Sequence, residues 1–158
     1  MSVLTEAPVE ELIGREHTTH SEQETRELAR LFARLLERGD VVALRGELGT
    51  GKTVIVKAIA KALGYDGPVT SPSFTLLNVY DTPNFPIYHF DFYRIQSEAE
   101  AIGIGADEYI MGEGISLIEW PEKIQNLLPP QYYDIHLVIP DYANQPHQRK
   151  IRISKIRR

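Results

Sequence analysis

The chain contains no cysteine. That excludes disulfide stapling, a thiol nucleophile, a redox dithiol and any cysteine-based zinc site. No apolar run approaches the roughly 18 residues of a membrane-spanning helix. The opening stretch Met1–His17 is acidic and lacks the basic-then-apolar order of a signal peptide. Repeats, low-complexity tracts and dividing linkers are also missing. Basic residues are in the minority, with 17 Lys and Arg against 22 Asp and Glu for a net charge of −5, which argues against free-standing nucleic-acid binding. What is present suits one globular domain: 158 residues, 42% hydrophobic and 25% charged, enough to bury a core. A soluble, cytoplasmic protein with no membrane partner is the expectation. Residues 1–158 are read as a single domain, with 1–10 a loose tail and 149–158 a basic C-terminal segment.

Alternation of strand and helix signals sets the fold class. Ser21 followed by Glu24 is a capping-box pattern. Leu28, Leu31, Phe32, Leu35 and Leu36 then recur at helical spacing, with Gly39 as the expected stop. Residues 41–46, VVALRG, form a short buried strand. A glycine-rich turn and a second helix carrying Val54, Ile55, Ala58, Ile59, Ala62 and Leu63 follow. Residues 74–80 and 86–92 read as strands joined by a turn, and 97–112 as two short helical pieces around Gly103 and Gly105. The run 115–119, ISLIE, is an apolar strand ending in a carboxylate. Pro121 opens a short helix, and late strands lie near 132–139 and 149–156. A weak strand signal lies near 12–18. This order predicts an α/β sheet, mostly parallel at its centre and flanked by helices, with late antiparallel edge strands.

The segment Gly46-Glu47-Leu48-Gly49-Thr50-Gly51-Lys52-Thr53 reads G-x-x-x-x-G-K-[ST], the Walker A phosphate loop. A match by chance in a chain of this length is roughly a half-percent event, and here a strand precedes the loop and a helix follows it. Glycines let successive backbone N–H groups point at phosphate oxygens, and the helix N-terminus adds positive potential. Lys52 reaches the β- and γ-phosphates, and the Thr53 hydroxyl binds Mg²⁺. Such a loop needs a carboxylate beside the metal, at the end of a neighbouring strand. Asp91 and Glu119 both qualify, and the pattern does not separate them. His89 reads as a core histidine or as one that supports an acid. Trp120 reads as a core aromatic or as a wall of the site. Arg94 suits a phosphate, a partner or a surface ion pair. No N-K-x-D-type guanine reader is present, which favours ATP.

Four segments occur in an order and spacing that resemble one family: Gly46–Thr53, Ser71-Pro72-Ser73-Phe74-Thr75-Leu76, Tyr88-His89-Phe90-Asp91-Phe92-Tyr93-Arg94 and Ile118-Glu119-Trp120-Pro121. Over about residues 19–140 the chain is similar to the TsaE (YjeE) family, the small P-loop ATPases of bacterial tRNA threonylcarbamoyladenosine biosynthesis. The resemblance implies a P-loop NTPase fold and a Mg-dependent ATPase binding ATP or ADP. Leu48, Gly49, Thr50, Gly51, Lys52 and Thr53 would wrap the phosphates. Thr53, Asp91 and Glu119 would make the magnesium site, with Lys52, Asp91 and Glu119 catalytic. The segment Ser71–Thr75, including Ser73 and Thr75, would act as a switch near the γ-phosphate. Ser21 and Glu22 would lie near the adenine. The implied partners are a TsaB–TsaD heterodimer, with tRNA met only through that complex. Ser73 and Phe74 stand where the family often has Thr and Tyr.

Between Arg94 and Lys123 there is no Lys or Arg, and the stretch instead holds Glu98, Glu100, Asp107, Glu108, Glu113, Glu119 and Glu122. A small-molecule kinase closes a basic lid in that part of the chain. The expectation is therefore slow intrinsic hydrolysis stimulated by partner docking. The alternatives are a nucleotide-dependent binding module with negligible turnover and a lidless small-molecule kinase. Six of the 17 basic residues fall in Arg149–Arg158. They read as the solvent side of an edge strand with Ile151 and Ile153 facing inward, or as a contact to tRNA or an acidic partner.

Overall fold

The structure, a computed structural model, describes residues 8–158. Most of the expected N-terminal tail lies outside that range. Within it, Val9–Leu12 is a turn of 3-10 helix whose Leu12 is buried. The elements that follow are β1 (Arg15–Thr19), α1 (Glu22–Ala33), β2 (Val41–Arg45), α2 (Lys52–Ala62), β3 (Leu77–Asp81), β4 (Pro86–Asp91), α3 (Glu98–Gly103), α4 (Ala106–Ile110), β5 (Ile115–Glu119), the 3-10 segment Pro121–Leu127, β6 (Gln131–Val138) and β7 (Arg149–Arg157). Among the described residues, no helix is long and apolar enough to cross a membrane.

Seven strands form one sheet in the order β1-β7-β6-β2-β5-β4-β3. The four central strands run parallel. Antiparallel pairs flank them on both sides: β6–β7–β1 at one edge and the β3–β4 hairpin at the other. Central parallel strands are covered on both faces, which is why β2 reads as an unbroken apolar run rather than an alternating one. Val42 and Leu44 pack with α1 and α2 on one face, and Val41 and Ala43 pack with α3 and α4 on the other. Phe32 of α1 is fully buried, with its ring edge-on to Tyr133 at 5.2 Å. Phe32→Ala is expected to lower stability by about 3–5 kcal/mol, read as a lower urea midpoint at unchanged slope.

Two boundaries depart from the pattern. Helix α1 starts as expected: the Ser21 hydroxyl accepts from Glu24 N (3.1 Å), and the Glu24 carboxylate accepts from His20 N (3.0 Å). It ends at Ala33, well before Gly39, because Leu35 N and Leu36 N bond the carbonyls three residues back. Those tighter turns keep Leu36 buried without continuing the helix. Gly39 instead sits at φ +89° in the turn leading to β2. Strand β3 begins at Leu77 rather than at Phe74. Leu76 adopts φ +69° and its N–H bonds Pro72 O at 2.6 Å, so residues 74–76 form a turn. The late antiparallel strands lie on the edge side of the sheet as expected, with β1 outside them: residues 150–153 of β7 pair on both sides, Arg149 with β1 alone and 154–157 with β6 alone. Ile151 and Ile153 point inward as the pattern predicts.

Candidate nucleotide-binding site

The loop between β2 and α2 is curled by its glycines. Gly46 takes φ +152°, and a Cβ there would stand 2.7 Å from Thr50 Oγ1 and 2.8 Å from Leu137 O, so no side chain fits. Gly51 caps α2 at φ +107°. Thr50 fastens the curl by donating its hydroxyl to Glu47 O at 2.9 Å. Leu48 stands 64% exposed on the loop. Helix α2 starts at Lys52, so its unpaired N–H groups open towards the loop.

Lys52 is buried, its ammonium bonded to Gly46 O at 2.5 Å and lying 3.7 Å above the centre of the Trp120 ring. Burial pushes its pKa below the usual lysine range, against the opposing pull of Glu119, Glu122, Asp91 and Glu47. Trp120 holds φ +60°, a strained setting for a non-glycine residue. Its ring packs on Tyr93 at 4.9 Å. Of the two readings open for Trp120, the geometry favours the wall of the site.

Asp91 and Glu119 end neighbouring strands and are paired directly across β4–β5, while Glu119 also faces Leu44 of β2. This register brings both acids to the carboxyl ends of the parallel strands, beside the phosphate loop, where α/β sheets bind ligands. Both are buried, at 5% and 4% exposure. Asp91 accepts from Ser71 Oγ (2.9 Å) and from Tyr93 N (3.0 Å). His89, fully buried on the same strand, donates Nε2–H to Glu119 Oε2 at 2.6 Å. It is thus the supporting histidine rather than a core filler. Burial raises the Tyr80 phenol pKa, so that hydroxyl keeps its proton.

The segment 70–76 reaches the site through Ser71. Ser73 is half-buried in the same turn, and the Thr75 hydroxyl turns back to Leu77 O at 3.5 Å. Phe74 is 82% exposed, with the Arg94 guanidinium 4.3 Å from its ring centre. Arg94 therefore stacks on an aromatic ring rather than pairing with an acid. Glu22 lines a small cavity of about 90 Å³ with Thr25, Thr50, Gly51, Val54, His147 and Arg149, on the α1 side of the loop. Glu22 also pairs with Arg26 at 3.3 Å.

Two residues beside the loop carry no local signal in the sequence. Arg149 donates Nε–H to Thr50 O at 2.6 Å and Nη1–H to Pro146 O at 2.8 Å, and His147 lines the same cavity. Strand β7 starts next to the phosphate loop only because of the sheet order. No local pattern announces that, and Arg149 reads in sequence as one more basic residue of the C-terminal segment.

Three groups, Thr53, Asp91 and Glu119, offer the hard oxygen donors that magnesium takes, and two anchored carboxylates beside a phosphate loop suit a metal that keeps waters and phosphate oxygens in its shell. Among the described residues no cluster of three or more acidic, His or Cys side chains forms a cage for a metal. An arrangement completed by phosphate needs none.

Residues 19–151 match the family described as "Threonylcarbamoyl adenosine biosynthesis protein TsaE". The match runs past the expected limit near residue 140 and takes in Arg149. A tRNA threonylcarbamoyladenosine biosynthesis protein TsaE of Rickettsia typhi is 46% identical over 126 residues, 79% of this chain and 87% of that protein. One from Bacillus subtilis is 40% identical over 117 residues, 74% of this chain and 73% of that protein. Among solved structures, the crystal structure of Bacillus subtilis YdiB is similar with a TM-score of 0.69 and 32% identity, covering 90% of this chain and 84% of that one.

Proposed function

The chain belongs to the TsaE family, with a role in tRNA threonylcarbamoyladenosine biosynthesis, and from that premise we propose that it is the Mg-dependent ATPase of the pathway. The observation that carries this reading is the convergence of Lys52, Asp91 and Glu119 on one glycine-curled loop. In this reading the loop amides of Leu48–Thr53 hold the phosphates. Lys52 leaves Gly46 O and the Trp120 ring for the β- and γ-phosphate oxygens. Thr53, Asp91 and Glu119 hold the magnesium ion, which neutralises charge developing on the transferred phosphoryl group when bound. Ser71, already on Asp91, carries the segment 70–76 with its Ser73 and Thr75 to the γ-phosphate side. Glu22 lies where the base would sit, across Thr50 and Gly51.

Hydrolysis is slow in the isolated chain. The stretch between Arg94 and Lys123 supplies no cation, and Arg94 is engaged by Phe74. A TsaB–TsaD heterodimer in the cytoplasm is the proposed stimulator, and tRNA is met only through that complex. Trp120 is the single tryptophan and touches Lys52, so its fluorescence reports nucleotide binding directly. Titration with Mg-ATP, Mg-ADP and Mg-GTP is expected to change that emission, with adenine nucleotides binding more tightly. Phosphate release is expected to rise when the heterodimer is added. No emission change and no heat with any nucleotide would sink the proposal. Binding without hydrolysis, alone or with the heterodimer, would leave a nucleotide-dependent binding module.

A further inference from the structure

A chain of hydrogen bonds runs from the segment 70–76 into the interior at Glu119. The Tyr80 hydroxyl lies 3.2 Å from Thr70 O and 2.8 Å from His89 Nδ1. The opposite side of the His89 ring holds Glu119 Oε2. Tyr80, His89 and Glu119 are 4%, 0% and 4% exposed, so the Tyr80–His89 and His89–Glu119 bonds lie away from solvent, while the bond to Thr70 O is half-buried. Asn78 adds two bonds from its amide to Thr70, at 3.1 and 3.3 Å. The segment is thus clamped at Thr70 by the β3 side chains and at Ser71 by Asp91.

We propose that Tyr80 and His89 form a relay that positions the Glu119 carboxylate according to where the segment 70–76 sits. Tyr80 has one hydroxyl proton and two acceptors within reach, Thr70 O and His89 Nδ1. With the segment in the position seen here, the proton is shared between them. When the segment moves, Thr70 O withdraws and the Tyr80 hydroxyl, still holding its proton, donates to Nδ1 alone. That fixes the imidazole plane, and with it the Nε2–H that steers Glu119. His89 and Tyr80 are positioning residues, because neither faces the phosphate loop. Buried networks of this kind hold a ligand side chain in one orientation, and loss of such a partner costs about 10–100-fold in metal affinity or activity.

The relay rests on Glu119 belonging to the nucleotide site, so its test has two arms. In the first, turnover and nucleotide affinity are measured on folded protein. Tyr80→Phe is expected to lower the ATP hydrolysis rate about tenfold, with Trp120-monitored ADP affinity within about threefold of wild type. His89→Ala falls further. His89→Gln, which keeps an N–H towards Glu119 but loses Tyr80, recovers to the Tyr80→Phe level. A purely structural role would lower the unfolding midpoint and leave turnover per folded molecule unchanged, and that result overturns the relay. The second arm needs no nucleotide. In urea unfolding, Tyr80→Phe and Glu119→Gln share His89 as partner and are expected to be non-additive, whereas Tyr80→Phe with the distant Asp134→Asn is additive. Additivity of the first pair overturns the relay whatever the turnover shows. A wild type with no hydrolysis under any condition sinks the ATPase reading alone, and the unfolding cycle then decides the relay.

Discussion

Lys52→Ala is expected to lower ATP hydrolysis by about 10²–10³-fold, the loss that follows when one preorganised charge donor is taken from a developing negative charge. The ammonium is held by Gly46 O and the Trp120 face, at the base of the loop it serves. It need only swing off those two contacts to meet a phosphate. The same variant is expected to fold. Burial makes the charged form of Lys52 unfavourable, so removing it relieves a cost. The sign of the pH dependence follows. The folded pKa lies below the unfolded value of 10.5, so the cost is fully present below the folded pKa. It falls away as pH rises from there towards 10.5, where the unfolded chain still holds a proton that the folded one has shed. Wild type should therefore gain stability relative to Lys52→Ala across that alkaline window. Urea midpoints of the two proteins at several alkaline pH values check this, and a constant difference would contradict it. Phosphate release at saturating Mg-ATP checks the rate.

Asp91→Asn carries the second large effect. Its carboxylate is held by Ser71 Oγ and Tyr93 N, and it directly adjoins Glu119 in the sheet register. An amide keeps the shape and part of the hydrogen bonding but loses the negative charge that a hard cation requires. The magnesium concentration for half-maximal hydrolysis is expected to rise at least about tenfold, and the maximal rate to fall about 10²-fold. Nucleotide affinity without metal should change little, because the loop amides and Lys52 are untouched. A variant with wild-type magnesium dependence would remove Asp91 from the metal site and leave Thr53 and Glu119 to hold the ion. Titrating magnesium at fixed ATP separates the two results.

The phosphate loop and its flanking elements are legible from residues 41–63 alone, since glycine spacing, a β-branched run and helical periodicity all agree locally. The pairing of Asp91 with Glu119 is half legible. Each acid closes an apolar strand, but their adjacency depends on β4 and β5 being neighbours. Residues 74–76 read as strand because Phe74, Leu76 and Leu77 satisfy a strand pattern. Burial of Pro72 and the positive φ of Leu76 turn the chain there instead, and that turn brings Ser71 onto Asp91. The pattern carries α1 too far for a similar reason: Leu35 and Leu36 are apolar for packing beneath a tapering turn. Arg149 and His147 were invisible because they reach the loop through a strand about a hundred residues away in the chain.

The placement of β7 between β6 and β1 also bears on how the molecule is made. Among the described residues, β1 finds its one sheet neighbour in β7, made after the other six strands, and the guanidinium that braces Thr50 O sits at the start of that same strand. Strand β1 therefore waits for this neighbour during synthesis, and the phosphate loop gains its brace only when residues 149–157 emerge. A nascent chain halted before Arg149 would expose the edge of β6 and hold an unbraced loop, so the loop takes its final shape only once β7 has paired.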